Sequence, residues 1–192
     1  EPLRRSKNTS RRESMALLPK PSTCQGCPFY GNGQGFVPDA YVEGADTLVL
    51  GQNPGADEEH GRVISGWQGK FPLYDPHPHA PYLGRTGFVM EHRYFKLAAL
   101  ERGVNVSLAN SIRCRVGGEN TLPLVTDSKY RQALERCTHH YFKPPASTKL
   151  IVAEGEYALH ASTGEDGKDS PGFKIGRGID GWRGWVLPYN PY

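Results

Sequence analysis

Four cysteines are the residues whose spacing points most directly to a chemistry. Cys24 and Cys27 form a Cys-x-x-Cys pair, and Cys114 and Cys137 follow singly, far along the chain. Two thiolates at the closer spacing can reach one metal centre. A redox dithiol is the alternative, but that motif usually opens a helix in a βαβ unit, whereas glycine, proline and asparagine follow here. One close pair with two distant cysteines is less typical of a zinc site than two close pairs. An iron–sulfur cluster is therefore also a candidate.

A second group of polar residues follows a short apolar run. Residues 47–50 predict a fully buried strand, which breaks at once into Gly51-Gln52-Asn53-Pro54-Gly55-Ala56-Asp57-Glu58. The glycines and the proline predict a tight turn that other groups can approach closely. In an open α/β sheet, ligands bind at the loop that leaves the carboxyl end of a strand. We therefore expect the other polar motifs to converge on this turn.

Two further elements carry the single cysteines. Residues 104–112 predict a second strand that ends just before Cys114. Residues 128–142 predict a helix that Thr126 or Asp127 caps and a proline pair ends. Its inward stripe has helical spacing and consists of Tyr130, Leu134, Cys137 and Tyr141. A small buried core residue is the alternative reading of Cys137.

The remaining pattern alternates strands with helices. A turn over residues 81–87 leads into a helix whose inward face is Met90, Tyr94 and Leu97 and which ends at Gly103. Residues 149–155 predict a third buried strand, residues 156–162 a short helix and residues 184–188 a fourth strand. This alternation indicates the α/β class, with a mostly parallel sheet covered by helices on both faces.

Composition sets broad limits on the class of protein. The chain has 192 residues and a net charge of +3, enough for a single domain over residues 21–192 after a basic arm over residues 1–20. That arm reads as a solvated tail or as a segment that lies on a phosphate backbone. No apolar run approaches the ~20 residues that span a bilayer. We therefore expect a soluble, cytoplasmic monomer whose cysteines are not paired as disulfides.

Taken together, these motifs resemble the uracil-DNA glycosylase superfamily, most closely its iron–sulfur branch, often called family 4. The resemblance runs from about Cys24 to Tyr192. It implies a three-layer α/β/α sandwich around a four-stranded, mostly parallel sheet. It also implies a 4Fe–4S cluster, with zinc as the alternative, in a mainly structural role. The ligands that the resemblance implies are Cys24, Cys27, Cys114 and Cys137.

The resemblance also assigns roles within the first turn. Gly51 and Pro54 shape its substrate-binding backbone, and Glu58 supports the loop or the water. The iron–sulfur branch usually has Glu where this chain has Gln52, while Asn53 is similar to the Asn of the mismatch-specific and single-strand-selective branches. Gln52 and Asn53 would handle the attacking water and the backbone. An amide only orients the water, so we expect slower turnover than with a carboxylate.

Three more positions follow from the family motifs. After an insertion over about residues 62–80, Tyr82 occupies the place of the Phe that stacks on the extruded base. Asn110 occupies the place of the Asn that reads the N3–H and O4 of uracil. Asn190 stands where most members have the His that stabilises the departing base. By themselves, Tyr82 would read as helix-start packing and Asn110 as a turn residue.

The expected function is therefore a monofunctional DNA glycosylase for uracil or a related modified pyrimidine. No lysine lies in the motifs, so a lyase step is not predicted. The alternative is a catalytically weak or inactive DNA-binding module that keeps the fold and the cluster. DNA is the expected partner in either case, and a membrane is not.

Overall fold

A computed structural model describes residues 16–62 and 79–163 of the chain. The described strands are β1 (Gly33–Phe36), β2 (Thr47–Gly51), β3 (Val106–Asn110), β4 (Cys114–Val116) and β5 (Leu150–Ala153). The helices are α1 (Ala56–Glu59), α2 (Arg85–Val89) with a π-helical continuation Met90–Phe95, α3 (Ser128–Tyr141) and α4 (Glu156–Thr163). Residues 1–15, most of the predicted insertion, the predicted strand at 184–188 and Asn190 lie outside the described residues.

Strand β2 is the centre of a parallel three-stranded sheet with the order β3-β2-β5. All five of its residues are buried, which confirms the predicted buried strand. The register pairs Gly51 with Asn110 on one side and Leu50 with Ala153 on the other. The α/β class with a mostly parallel sheet is therefore confirmed over these three strands.

Alternate residues of β2 face two separate apolar clusters, as the period of two along a strand requires. Leu48 and Leu50 belong to one cluster together with residues of α3 and α4. Val49 belongs to the other, which includes Met90 and Phe95 of the α2 segment. The sheet is therefore packed on both faces, and the two faces lead to different sites.

A second, two-stranded sheet was not predicted. Strands β1 and β4 pair antiparallel, with Phe36 opposite Cys114 and Gly33 opposite Val116. Both strands are too short to show an apolar period in the sequence. This small sheet carries Cys114 and connects it to the segment that follows the Cys-x-x-Cys pair.

The helix after residue 84 differs from the prediction. Met90 is buried as expected, but Tyr94 is 56% and Leu97 85% exposed, so the predicted inward face is wrong at those two positions. The reason is the π-helical segment, whose i→i+5 bonding brings Phe95 rather than Tyr94 beneath Met90. The segment ends at Phe95, well before the predicted end at Gly103, and Ala99 adopts a positive φ of 53°.

The carboxyl-terminal half of the described chain follows the prediction with one exception. Helix α3 begins after Asp127, whose side chain accepts a hydrogen bond from the Lys129 amide, and α4 forms as expected. Strand β5 was predicted to be buried, but Leu150 is 49% and Val152 38% exposed. Among the described strands β5 pairs only with β2, so its residues on the Val49 face are not enclosed as those of β2 are.

Candidate functional sites

The Cys-x-x-Cys pair is held by a tight turn. The Cys27 amide donates to the Cys24 carbonyl at 3.0 Å. Gln25 has φ −59° and ψ 136°, and Gly26 has φ +80°, which together form a type II β-turn. That turn needs a positive φ at its third residue, so glycine is the residue that fits there. The short spacing thus orders both thiols locally before any distant contact forms.

The four cysteines meet around one small cavity. Cys24 and Cys27 come from the turn, Cys114 from the start of β4 and Cys137 from the inward face of α3, and all four are free thiols. The other residues lining the cavity are mainly aromatic or cationic: Lys20, Phe29, Tyr30, Phe36 and Arg113. The structure therefore brings together all four cysteines that the sequence analysis singled out.

Helix α3 also holds the turn in place. Arg136 donates from Nη1 to the Thr23 carbonyl at 2.9 Å. The Tyr141 hydroxyl contacts both Thr23 Oγ1 and Cys24 Sγ, the latter at 3.3 Å. The Lys20 ammonium donates to the Phe29 carbonyl at 2.6 Å on the opposite side. The turn is therefore tied to the helix that carries Cys137.

The donor set consists of four thiols, the side chains that a thiolate-bound metal centre would use. Burial raises the pKa of Cys114 to about 12 and that of Cys137 to about 11, and it also raises the pKa of Cys27. Neutral thiols are thus favoured until a cation is present to stabilise the thiolates. Within residues 16–62 and 79–163, no group of three or more His, Cys, Asp or Glu residues is arranged to hold a metal ion. The donors themselves, four thiols with no carboxylate or imidazole among the lining residues, fit the four-cysteine requirement of an iron–sulfur cluster.

A larger pocket lies on the other face of the sheet. Its volume is about 440 Å³, and it opens at the carboxyl ends of β2 and β3. This is the edge at which ligands bind in open α/β sheets. The pocket is lined by Gly51, Gln52, Asn53, Gly55, Ala56, Asp57, Glu58, Tyr82, Gly84, Arg85, Thr86, Asn110, Asn120 and Glu154.

Three residues form a row across this sheet edge. Gly51 pairs with Asn110 of β3, and Glu154 directly follows Ala153, the partner of Leu50. The Glu154 amide continues the ladder by donating to the Leu50 carbonyl at 2.9 Å. Neighbouring residues of a parallel register point to the same face, so Asn110 and Glu154 flank Gly51 on the pocket side.

Gly51 leaves a space that Tyr82 fills. A Cβ atom at Gly51 would clash with the Tyr82 hydroxyl and would lie 2.8 Å from Asn110 Oδ1. Tyr82 itself has an unusual positive φ of 63°, and Arg102 donates to its carbonyl at 3.0 Å. Tyr82 is 5% exposed, so it meets the pocket mainly through its hydroxyl end.

Two buried polar atoms at this row lack a hydrogen-bond partner. They are Asn110 Nδ2 and the Tyr82 hydroxyl oxygen. The Tyr82 hydroxyl lies beside the Glu154 carboxylate without forming a hydrogen bond of good geometry. Burial and the neighbouring carboxylate raise the pKa of Tyr82, and burial raises the pKa of Glu154. An unpartnered buried polar atom costs free energy, so these atoms indicate a place for a polar ligand.

Glu58 supports the turn through both carboxylate oxygens. Oε1 accepts from the Tyr82 amide at 2.6 Å, and Oε2 accepts from the Gly55 amide. Burial raises the pKa of Glu58, while these two backbone bonds lower it. Glu58 thus joins the turn after β2 to the segment that carries Tyr82.

The Asn53 amide is bound within the protein. Its Nδ2 donates to Asn120 Oδ1 at 2.7 Å, and Asn120 Nδ2 donates to the Pro54 carbonyl at 3.1 Å. Asn120 has a positive φ of 61° in the loop after β4. Gln52 lines the pocket beside them, and its carbonyl accepts from the Ile112 amide at 3.1 Å.

The structure brings most of the predicted site residues into this pocket. Gly51, Gln52, Asn53, Glu58, Tyr82 and Asn110 line it, while Asn190 lies outside the described residues. Sequence reasoning missed Glu154 and Asn120. The position of Glu154 after a strand was a usable signal, because the same rule identified the turn after β2. Asn120 follows a Gly-Gly-Glu segment that is typical of a turn.

Comparisons with known proteins add no family. No protein-family model matches the chain, and no curated protein matches it at a significant level. None of the helices within the described ranges is both long and apolar enough to cross a membrane.

Proposed function

We propose that the protein is a monofunctional DNA glycosylase that binds an extruded pyrimidine in the pocket beside β2 and hydrolyses its N-glycosidic bond. The observation that carries this proposal is the buried, unpartnered Asn110 amide in a 440 Å³ pocket at the carboxyl edge of the sheet. A flipped base supplies the hydrogen bonds that this amide lacks. The turn with Gln52 and Asn53 lies in the same pocket, where an attacking water would be held.

The roles of the pocket residues follow from their positions. Asn110 pairs with the N3–H and O4 edge of uracil, because an amide supplies one donor and one acceptor. Gln52 and Asn53 position the water and the DNA backbone. Glu58 keeps the turn and Tyr82 in register through its two backbone hydrogen bonds. Tyr82, which lines the pocket, would stack on the extruded base.

The cysteine site completes the proposal. Cys24, Cys27, Cys114 and Cys137 would hold a 4Fe–4S cluster, with zinc as the alternative. When bound, this group supplies a structural link between the turn after Lys20, β4 and helix α3. The protein residues around it, Arg136 and Tyr141, fix the same turn by hydrogen bonds.

A second candidate function is an iron–sulfur DNA-binding module without efficient catalysis. It is favoured by the contacts of Asn53 and Glu58, since the Asn53 amide nitrogen is bound to Asn120 and both Glu58 oxygens accept backbone hydrogen bonds. Neither group then has the freedom to activate water strongly. Such a module would bind uracil-containing or abasic DNA and leave it intact.

The test is a base-excision assay. Oligonucleotides with uracil opposite G, opposite A or unpaired are incubated with the protein and treated with hot alkali. We expect cleavage that Asn110→Ala reduces by at least about tenfold, the effect of one or two lost hydrogen bonds. Asn32→Ala is the matched control, because Asn32 is exposed and lies outside the pocket. Binding in a shift assay without cleavage on any substrate would favour the binding module.

A further inference from the structure

The pocket contains a carboxylate that the proposed excision of uracil does not use. Glu154 stands in the row with Gly51 and Asn110 at the edge of the sheet, and its side chain lines the pocket. The Tyr82 hydroxyl is the polar group beside it. An ionised carboxylate has only acceptor atoms, so a ligand that displaces water from Glu154 must offer it a donor.

The other pocket carboxylates already have partners. Asp57 forms an ion pair with Arg62 at 3.3 Å, and the two oxygens of Glu58 accept from the Gly55 and Tyr82 amides. For Glu154 the described residues provide no ion pair and no hydrogen bond from a backbone amide. Its neighbour, the Tyr82 hydroxyl, is itself without a hydrogen bond of good geometry. The Tyr82 hydroxyl is thus the protein donor that lies beside Glu154, and the carboxylate also lines the pocket.

Plain uracil does not satisfy this arrangement. If Asn110 takes the N3–H and one carbonyl of the base, the remaining ring edge presents only a carbonyl oxygen and C–H groups. A carbonyl oxygen next to a carboxylate is repelled, and a C–H group gives it no strong hydrogen bond. A hydroxyl or amino substituent on the ring would donate to Glu154, and an ammonium group would form a charge-assisted bond.

We propose that Glu154 is a specificity-determining residue that selects a pyrimidine carrying a hydrogen-bond-donating substituent, an amino or hydroxyl group, over unsubstituted uracil. The proposal rests on the proposed function for the placement of a base against Asn110. The Tyr82 hydroxyl lies beside both Gly51 and the Glu154 carboxylate at this edge of the sheet. The ligand class is therefore a modified uracil whose substituent reaches across Gly51 from Asn110 to Glu154.

The experiment compares four single-stranded oligonucleotides that differ only at ring position 5. They carry uracil, thymine, 5-hydroxymethyluracil or 5-aminomethyluracil, so that thymine controls for the size of the substituent. Excision rates and affinities by fluorescence anisotropy are measured for the wild-type protein and for Glu154→Leu. Glu156→Leu is the matched control, because this neighbouring glutamate does not line the pocket.

We expect the wild-type protein to prefer the aminomethyl and hydroxymethyl bases over both uracil and thymine by at least about tenfold, the effect of one hydrogen bond to a charged group. Glu154→Leu should abolish that preference, while Glu156→Leu should keep it. Equal excision rates and affinities for thymine and 5-hydroxymethyluracil, or an unchanged preference in Glu154→Leu, would overturn this proposal. Excision of uracil in the same assay would leave the proposed function intact. Preferential binding of the substituted bases that depends on Glu154, without excision of any base, would support this specificity. It would overturn the proposed glycosylase function. If the protein neither excised a base nor bound the substituted bases preferentially, both proposals would be overturned.

Discussion

The two faces of one sheet carry sites of opposite character. On the Leu48 and Leu50 face, the cysteine cavity has largely aromatic walls, and its donors are the thiols themselves. On the Val49 face, the pocket is open and contains Asn110 Nδ2 and the Tyr82 hydroxyl without partners. The first arrangement suits a resident group that thiolates bind. The second suits a ligand that enters, forms hydrogen bonds and leaves.

A buried ion pair lies between the two sites. Arg113 lines the cysteine cavity and donates to Asp39, with a closest distance of 2.8 Å. Asp39 Oδ1 also accepts a long hydrogen bond of 3.4 Å from the backbone N–H of Asn110. The loop of three residues between β3 and β4 thus connects Asn110 to Cys114. Variants on either side of this loop test whether the sites are separate.

The largest effect is expected from Cys114→Ser. Loss of one thiolate should release the metal group, and structural metals contribute about 10 kcal/mol or more to small zinc domains. Metal content, absorption near 400 nm and the thermal midpoint should therefore all fall. Asn110→Ala is the control on the other face, and it should keep the metal and the midpoint while losing base binding. A Cys114→Ser protein with full metal content would contradict the four-thiolate assignment.

The next effect concerns the ion pair between the sites. Arg113→Met leaves the buried Asp39 carboxylate without its cationic partner, which should lower the free energy of unfolding by about 3–5 kcal/mol. The double variant Arg113→Met with Asp39→Leu should recover much of this loss, because two apolar groups replace the pair. Urea titrations of the three proteins measure the difference. An additive double variant would show that the pair is not coupled.

A smaller effect is expected at Gly51. Gly51→Ala places a methyl group against the Tyr82 hydroxyl and 2.8 Å from Asn110 Oδ1. Overpacking of this kind costs about 1–3 kcal/mol, and here it also displaces the Asn110 side-chain amide. Gly31→Ala is the matched control near the cysteine turn, where a Cβ meets nothing within 4 Å. Loss of base binding in Gly51→Ala but not in Gly31→Ala would show that the pocket acts independently of the cysteine site. Equal base binding by the two variants would contradict the pocket geometry.

Local patterns predicted the parts of both sites that short segments determine. The buried run of β2 and the inward stripe of α3 with Cys137 follow from periods of two and about 3.6 residues. The Cys-x-x-Cys spacing predicted that Cys24 and Cys27 belong to one site, and both line the cysteine cavity. These features were predictable because each depends on neighbours in the sequence.

The missed features depend on distant parts of the chain. The π-helical segment changes the inward face from Tyr94 to Phe95, and no propensity in the sequence marks such a segment. Glu154 enters the pocket only because β5 pairs in parallel with β2 at a register that continues past Leu50. The Asn53–Asn120 bond joins two loops 67 residues apart. Tertiary pairing decided each of these, so the sequence pattern alone was insufficient.

The smallest expected effect is on the pH dependence of the free energy of unfolding, and it tests the environment of the Glu154 carboxylate. Burial raises the pKa of Glu154 above its ordinary value of 4.5, so between the two values the folded state binds more protons than the unfolded state. The free energy of unfolding should therefore decrease as the pH rises through this window. Glu154→Gln does not titrate, so its stability should fall less steeply from pH 4.5 upward, with the remaining slope due in part to Glu58. Urea titrations at several pH values, with Glu156→Gln as the control, measure the slopes. Identical slopes for Glu154→Gln and the wild-type protein would place the Glu154 carboxylate in water rather than in the pocket.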